Sequence, residues 1–256
     1  MLTIGITTFK RRFDLVSNLI QSIKEFDEDI EIILTVNADY KEPFDSNYRK
    51  SILELASKAS NCFPVVFPTF TSLSKMWNTV ILNSSNEFIL MLNDDMIFEN
   101  KDAISIIKSK IQEVMTSENL ENELFLINSS WSHFVASKKV IDQLGYFDER
   151  LLAFGEEDGD MVWRYIKKFN KKIESINISG LQNIQEGYKT PHPNIKIEDV
   201  QNIRVVPKFN RDFMSQKYKK ALLGIRGMFD FRVSEVLPNL SQYPYEKFKR
   251  ENYDKM

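Results

Sequence analysis

The sequence predicts an α/β protein in which a mostly parallel sheet is covered by helices on both faces. Strand and helix patterns alternate through the first half of the chain, and parallel strands need such crossover helices. The apolar run at residues 87–92 (EFILML) is typical of a strand that is buried on both faces of a sheet. Among the 256 residues, 43% are hydrophobic and 27% charged, with 8 glycines and 8 prolines, which fits long regular elements around a substantial core.

The first elements follow from apolar spacing. Residues 2–7 form an apolar run that predicts a strand, and residues 13–26 carry leucines and isoleucines at helical spacing. Residues 31–36 (EIILTV) repeat the strand pattern and residues 51–59 the helix pattern. A short third strand is predicted at residues 64–67, flanked by prolines.

The next elements lead to the centre of the predicted sheet. Ser72 is a candidate N-cap for a helix at residues 72–82, and the apolar strand at 87–92 follows it. That strand continues directly into Asn93-Asp94-Asp95. Because ligands of open α/β sheets bind at the carboxyl ends of the strands, charge occurs here where a site is expected.

The second half of the chain is less regular. Apolar residues of the predicted helix at 157–169, among them Met161, Val162, Tyr165 and Ile166, are expected to face the core. The remaining predictions are a helix at 102–115, strands at 124–128 and 133–136, a helix at 138–144, and a mainly helical extension at 209–256.

Charge is unevenly distributed along the chain. Residues 208–256 carry 11 Lys and Arg against 6 Asp and Glu, or +5, which leaves 23 against 30, or −7, for residues 1–207. An acidic body argues against a dedicated nucleic-acid-binding protein, which would present a broad basic face. It does not argue against a nucleotide ligand.

The sequence also bears on the compartment. No apolar run approaches the ~20 residues that span a bilayer. The N-terminal segment MLTIGITTFKRR places its basic residues after the apolar stretch, unlike a signal peptide. The single cysteine, Cys62, excludes an internal disulfide. We therefore expect a cytoplasmic protein.

Two acidic segments are candidates for chemistry. The carboxylate and amide groups of residues 93–95 are hard oxygen ligands of the kind that Mg²⁺ or Mn²⁺ prefers. The alternative is a solvated turn, or capping of the next helix by Asp95 or Asn100. Residues 156–160 contain four acids at a predicted helix start. The helix dipole explains one or two of them, at ~0.3–1 kcal/mol each, but not four.

In this order and spacing across residues 2–180, these motifs resemble those of glycosyltransferase family 2 and its GT-A fold. In that fold two abutting Rossmann-like β/α/β lobes around a central sheet bind a nucleotide sugar and an acceptor. The resemblance implies a catalytic domain at residues 1–207, with a nucleotide-binding lobe at 1–100 and an acceptor lobe at 101–207. A helical, basic extension at 208–256 follows.

The resemblance implies nucleotide contacts from three strand ends and one helix. The family's first strand ends in a Thr followed by a basic residue, matched here by TTFKR at residues 7–11, and the second in acidic residues, matched by NAD at 37–39. A helical Asn precedes the family's metal motif by fifteen residues, as Asn78 precedes Asn93. The implied nucleotide-binding residues are Thr7, Thr8, Arg11, Asn37, Asp39, Asn78, Asn93 and Asp94.

The metal motif of the family is Asp-x-Asp, which falls on residues 93–95, and its last position, Asp95, is the one implied to reach Mn²⁺ or Mg²⁺ directly. Many relatives have a further metal ligand, a His about 25 residues past a Glu-Asp pair, and that register falls near residues 182–183 here. His192, on a loop between prolines, is the candidate substitute, with an ordinary surface histidine as the alternative.

The acceptor side of the family is matched by GYFDE at residues 145–149 and by the pair Glu157-Asp158 at a helix start. The resemblance implies that Asp158 is the general base that deprotonates the acceptor hydroxyl. It places Trp131, His133 and Glu157 on the acceptor side, with core packing as the alternative for Trp131 and His133.

The implied activity is transfer of a sugar from a nucleotide diphosphate sugar, UDP-sugar by default, to a glycan or glycolipid hydroxyl, with inversion. The second hypothesis is a catalytically degenerate nucleotide-sugar or glycan-binding module, because Asn37 and Asn93 stand where acids are usual. A nucleotidylyltransferase is disfavoured, because it would need a glycine-rich phosphate loop near the N-terminus. Gly5 is the only glycine before Gly145 in this sequence. For the basic extension, contact with an anionic membrane, packing on the body and homodimerisation all remain open.

Overall fold

The computed structural model describes residues 2–8, 12–38, 45–117, 119–184 and 205–218. Within those residues the strands are β1 (Leu2–Thr8), β2 (Glu31–Val36), β3 (Cys62–Val66), β4 (Phe88–Asn93), β5 (Met96–Phe98), β6 (Leu124–Ile127), β7 (Ser130–Ser137), β8 (Glu174–Ile176) and β9 (Leu181–Asn183). The helices of the same residues are α1 (Phe13–Phe26), α2 (Ser46–Lys58), α3 (Leu73–Asn83), α4 (Lys101–Ser117), α5 (Lys138–Leu144), α6 (Glu157–Phe169) and α7 (Val205–Lys217), with a 3₁₀ turn at Leu120–Glu123.

Seven strands form the main sheet, in the order β3-β2-β1-β4-β7-β6-β8, and β5 pairs with β9 separately. The pairings β3–β2, β2–β1, β1–β4 and β6–β8 are parallel, whereas β7 runs antiparallel to both β4 and β6. The predicted α/β class with a mostly parallel sheet is therefore confirmed. The reversal of β7 brings its first residues to the carboxyl end of β4.

The chain divides into two compact units with other boundaries than the predicted lobes at 1–100 and 101–207. The first consists of the described parts of Met1–Phe70, Thr79–Gln143 and Ile173–Ile195. The second consists of the described parts of Thr71–Asn78, Leu144–Lys172 and Lys196–Met256. Each unit is therefore assembled from separated stretches of sequence, and the assignment of the lobes to donor and acceptor stays a prediction.

In the first unit, the apolar sides of β1, β2 and β4 pack with α1 and α4 into one core. Leu19 and Ile23 of α1 are fully buried, as their spacing predicts. On the other face α3 approaches β1 closely: a Cβ on Gly5 would lie 2.3 Å from Cγ1 of Val80. Glycine at this position therefore permits helix and strand to make contact.

In the second unit, Met161 and Tyr165 of α6 are buried, as predicted. The expectation for Ile166 is wrong, because its side chain is 37% exposed. Met214 of helix α7 and Tyr218, which directly follows the helix, pack with Leu151. Since α7 begins at Val205, the predicted boundary between residues 207 and 208 falls inside a helix of this unit.

Local side-chain contacts explain where several elements begin. Helix α2 starts at Ser46, before the predicted 51, because the Asp45 carboxylate accepts hydrogen bonds from the backbone N–H groups of Asn47 and Tyr48. Ser72 caps α3 as predicted, accepting from the N–H of Lys75. Asn100, not Asp95, caps α4. Of the helices in the described ranges, none combines the length and apolar character needed to cross a bilayer.

Candidate active site

Polar side chains gather where β1 and β4 end in the first unit. The two strands are parallel neighbours, with Thr7 opposite Asn93, so residues that follow each strand meet at one edge of the sheet. We call the following residues the strand-end cluster: Thr7, Thr8, Arg12, Asn93, Asp94 and Asp95.

Asp94 is the buried anchor of the strand-end cluster, with 2% of its side chain exposed. Its Oδ2 accepts a hydrogen bond of 2.7 Å from the Thr8 hydroxyl, and its Oδ1 lies 3.0 Å from Nη1 of Arg12. The Thr7 hydroxyl lies 3.4 Å from Oδ1 of Asn93. The charge of Asp94 is therefore compensated inside the protein, which assigns this carboxylate to holding the two strand ends together.

Asp95 differs from Asp94 in having one unsatisfied oxygen. Its Oδ2 lies 3.4 Å from Nη2 of Arg12, whereas its buried Oδ1 has no hydrogen-bond partner among the residues that the structure describes. A buried carboxylate oxygen without a partner is costly, and a divalent cation with oxygen preference would remove that cost. The donor set at this edge therefore fits Mg²⁺ or Mn²⁺.

Two residues of this edge were not predicted from the sequence. Arg12 directly follows the basic residues 10–11, which was a usable signal, and it pairs with both carboxylates of the cluster. Tyr48 of α2 hydrogen-bonds with Thr8, and burial raises the pKa of its phenol. No signal pointed to Tyr48, because its place beside β1 depends on where α2 begins.

Strand β7 brings His133 and Trp131 to the same edge of the sheet. His133 lies opposite Leu92 of β4 and is only 5% exposed. Burial lowers the pKa of the His133 imidazole, and the nearby charge of Asp95 opposes this effect. Trp131 is half-buried, with its ring 5.0 Å from that of Phe134. Their predicted contacts with an acceptor stay predictions.

Strand β9 and the residue after it lie next to Asp95. Asn183 pairs with Met96, and the N–H of Ile184 donates to the Asp95 carbonyl at 2.8 Å. Residues 182–183, where the sequence resemblance implied a further metal ligand, thus lie next to Asp95 in this chain. Within the described ranges there is no group of three or more His, Cys, Asp and Glu side chains that could hold a metal.

The second unit holds the acidic residues of segment 148–160, and three of these acids, Asp148, Glu149 and Asp160, pair with Lys or Arg. Asp160, fully buried, accepts from Arg164 at 3.0 Å and from Lys217 and Tyr218 at 2.5 Å each. Burial would raise the pKa of Asp148, but hydrogen bonds from Arg150 and the charge of Lys217 outweigh it and lower that pKa to about 2. Asp160 therefore connects α6 to α7, and Asp148 connects the segment before α6 to α7.

Asn78 hydrogen-bonds within the second unit, and its predicted nucleotide contact stays a prediction. Its side chain is fully buried, its Nδ2 donates to the Phe147 carbonyl and to Oε1 of Glu149, both at 2.9 Å, and its Oδ1 accepts from the Phe147 N–H at 3.0 Å. Lys75 also pairs with Glu149, at 3.1 Å. Because the hydrogen-bonding groups of the amide are engaged, Asn78 positions the 147–149 segment.

Asp158 and Glu157 begin α6 after a stretch of left-handed backbone. Gly155 has φ +107° and Glu156 φ 76°, an arrangement that is costly for a non-glycine residue. Asp158 accepts only from the N–H of Gly159, at 2.8 Å, and has no ion-pair partner among the described residues. It is part-buried, so its carboxylate is accessible, unlike those of Asp148 and Asp160.

Glu157 is buried and pairs with no Lys or Arg among the described residues, and we expect this to make stability depend on pH. Burial raises its pKa to about 8 from an ordinary 4.5. Between these values the folded protein keeps a proton that the unfolded chain releases. The free energy of unfolding should therefore fall as the pH rises from about 5 to 8, by up to ~1.4 kcal/mol per unit. Urea unfolding at several pH values, compared with Glu157→Gln, isolates the effect, since the variant should lose that part of the slope. Equal slopes in both proteins would contradict it.

The remaining predicted residues fall into two groups. Asn37 follows β2, is 2% exposed, and its N–H donates to the Thr8 carbonyl, so it lies beside the strand-end cluster. Arg11, Asp39 and His192 lie outside the described residues. Their predicted contacts with nucleotide or metal remain predictions.

No protein-family model and no curated protein sequence matches the chain. Solved structures do resemble it. TarS 1–349 of S. aureus matches with TM-score 0.52 and 15% identity over 68% of this chain and 57% of that one. The mannosyltransferase PcManGT from Pyrobaculum calidifontis, in complex with GDP-Man and Mn²⁺, matches with TM-score 0.54 and 11% identity over 87% and 64%. The chain thus spans less than two thirds of the length of these two proteins.

A third similar structure is glucosyl-3-phosphoglycerate synthase from Mycobacterium tuberculosis, in complex with Mn²⁺, UDP and glucosyl-3-phosphoglycerate. It matches with TM-score 0.53 and 11% identity over 90% of this chain and 81% of that one. At such identities the likeness establishes the fold alone. The chain has the GT-A fold, as the sequence motifs predicted.

Proposed function

We propose that the protein is a metal-dependent glycosyltransferase that moves a sugar from a nucleoside diphosphate sugar to an acceptor hydroxyl. The observation that carries the proposal is the strand-end cluster at the carboxyl ends of β1 and β4, in which a buried carboxylate oxygen of Asp95 has no partner among the described residues. Support comes from similar structures that hold Mn²⁺ with GDP-Man or with UDP.

In this proposal Asp95 is the chief protein ligand of the cation. A bound Mn²⁺ or Mg²⁺ would neutralise the negative charge that grows on the departing diphosphate. Asp94, already bound by Thr8 and Arg12, keeps β1, β4 and the guanidinium in register. Arg12 supplies a fixed positive charge beside the two carboxylates, which lowers the repulsion between them before a cation binds.

We assign the general base to Asp158. Proton transfer needs a carboxylate that is accessible and not already neutralised by an ion pair. Asp148, Glu149 and Asp160 do not meet this condition, because each pairs with Lys or Arg. Asp158 meets it. A base that acts directly on the acceptor hydroxyl is consistent with a single displacement and inversion, which we include in the proposal.

The finer parts of the proposal follow the sequence resemblance. UDP is the default donor nucleotide, and the acceptor is a glycan or glycolipid. The nucleotide contacts of Thr7, Thr8, Asn37 and Asn93 belong to the same proposal, as does cytoplasmic location. A binding module without catalysis is the second candidate, favoured by the amide of Asn93 in place of a carboxylate.

Thermal unfolding with nucleoside diphosphates tests the donor site. A ligand at 100 times its Kd stabilises by ~2.7 kcal/mol, so UDP, GDP or CDP with Mn²⁺ should raise Tm by about 5 °C or more. Asp95→Ala should abolish the part of the shift that needs Mn²⁺, because it removes the proposed ligand. Asp102→Ala, which changes an exposed carboxylate of the same unit outside the cluster, serves as the control. The proposal fails if no nucleotide shifts Tm with Mn²⁺, or if Asp95→Ala shifts as much as wild type.

A further inference from the structure

We propose that His133 is a nitrogen ligand of the divalent cation held by Asp95, an inference that rests on the proposed function. It replaces the acceptor-side contact predicted for this residue from the sequence. The chain would then bind the cation from two elements. Strand β7 carries His133, and the segment after β4 carries Asp95.

The hydrogen-bonding state of the His133 imidazole points to a ligand. His133 is 5% exposed, and neither its Nδ1 nor its Nε2 has a hydrogen-bond partner among the described residues. Histidines that only pack in a core usually satisfy at least one ring nitrogen, because an unpartnered buried polar atom is costly. Two such atoms on one ring indicate a missing ligand.

The position of His133 in the sheet also points to a ligand shared with Asp95. Because β7 is antiparallel to β4, with His133 opposite Leu92, the residue lies at the carboxyl edge of the sheet near the turn that holds Asp95. The charge of Asp95 partly offsets the lowering of the His133 pKa by burial, so the two side chains lie within electrostatic reach of each other. The Oδ1 of Asp95 is also buried without a partner among the described residues. An imidazole nitrogen of His133 and a carboxylate oxygen of Asp95, both without a partner among the described residues, thus lie at the same edge of the sheet.

The chemistry of the two donor groups indicates which cation they would hold. Neutral imidazole and carboxylate are both accepted by Mn²⁺, whereas Mg²⁺ favours oxygen ligands. Asp94 is not available as a further ligand, since its two oxygens already contact Thr8 and Arg12. Two protein ligands leave coordination positions for diphosphate oxygens. Tight binding of the cation should therefore require nucleotide, and Mn²⁺ should be preferred to Mg²⁺.

Pulsed EPR of the Mn²⁺ complex with UDP tests the inference directly, because nitrogen bound to Mn²⁺ modulates the electron spin echo. The chain has 2 histidines, so labelling histidine with ¹⁵N limits the source to His133 or His192. We expect a histidine nitrogen coupling in wild type that persists in His192→Gln and disappears in His133→Gln. His133→Gln should also weaken Mn²⁺ binding in the presence of UDP roughly tenfold or more.

The outcomes separate this inference from the proposed function. Mn²⁺ that binds with UDP but shows no histidine nitrogen coupling, or a coupling lost in His192→Gln, overturns the role of His133 and leaves the glycosyltransferase proposal standing. Absence of Mn²⁺ binding with any nucleoside diphosphate overturns both. Should His133→Gln fail to fold, labelled wild type and His192→Gln still assign the coupling.

Discussion

Asp158→Asn is expected to lower turnover by about 10²–10⁴-fold while nucleotide affinity stays close to that of wild type. General-base assistance has this magnitude, and the loss corresponds to ~3–5 kcal/mol of transition-state stabilisation. The amide of Asn cannot take the acceptor proton, yet its oxygen can still accept from the Gly159 N–H as Asp158 does. Stability should therefore change little.

The measurement is release of nucleoside diphosphate from the donor sugar in the presence of candidate glycan acceptors, alongside nucleotide affinity. Glu156→Gln is the matched control, because Glu156 is a neighbouring acid, about one third exposed and close to Arg211. It should keep near-normal turnover. A variant Asp158→Asn with wild-type turnover, or a greater loss in Glu156→Gln, would place the base elsewhere.

Asp160→Asn should destabilise the fold by ~3–5 kcal/mol, which is the usual cost of breaking a buried ion pair from one side. The substitution removes the negative charge that faces Arg164 and Lys217, whose side chains are only 3% and 6% exposed. Lys217 would keep Asp148 as a partner, at 2.7 Å, whereas Arg164 would lose the carboxylate that its Nε and Nη2 face. Chemical denaturation of purified protein measures the change.

Asp212→Asn provides a control of the same chemistry. Asp212 also pairs four residues away, with Lys208 at 2.9 Å, but the two side chains are 59% and 80% exposed. An exposed pair of this kind contributes less than about 1 kcal/mol, so the variant should unfold close to wild type. Similar losses in the two variants would show that Asp160 does not depend on burial for its effect. If Asp160→Asn does not fold at all, Tyr218→Phe, which removes one donor to Asp160, should give a smaller loss in the same direction.

The sequence motifs and the structure agree on the fold. They agree because strands and helices depend mainly on residues that are close together in the chain. Alternating apolar patterns determine strands and helices residue by residue, so β2, α1, α5 and α6 begin or end where periodicity places them. The apolar run before Asn93 likewise predicted a central strand, so the carboxylate pair that follows it was expected at a strand end. By contrast, β5, β8 and β9 are three residues each, too short for a periodic signal, and depend on distant partners.

The roles of individual acids were decided by the tertiary structure. The sequence determined that residues 93–95 and 148–160 are rich in carboxylates and that the first group ends a strand. Which carboxylates are neutralised depends on contacts between residues far apart in the chain: Thr8 with Asp94 across 86 positions, and Lys217 with Asp160 across 57. Such contacts leave no periodic signal, since burial and ion pairing depend on how the elements pack. The packing therefore distinguishes Asp95 and Asp158, to which we assign the proposed chemical roles, from Asp94 and Asp160, whose charges are paired within the protein.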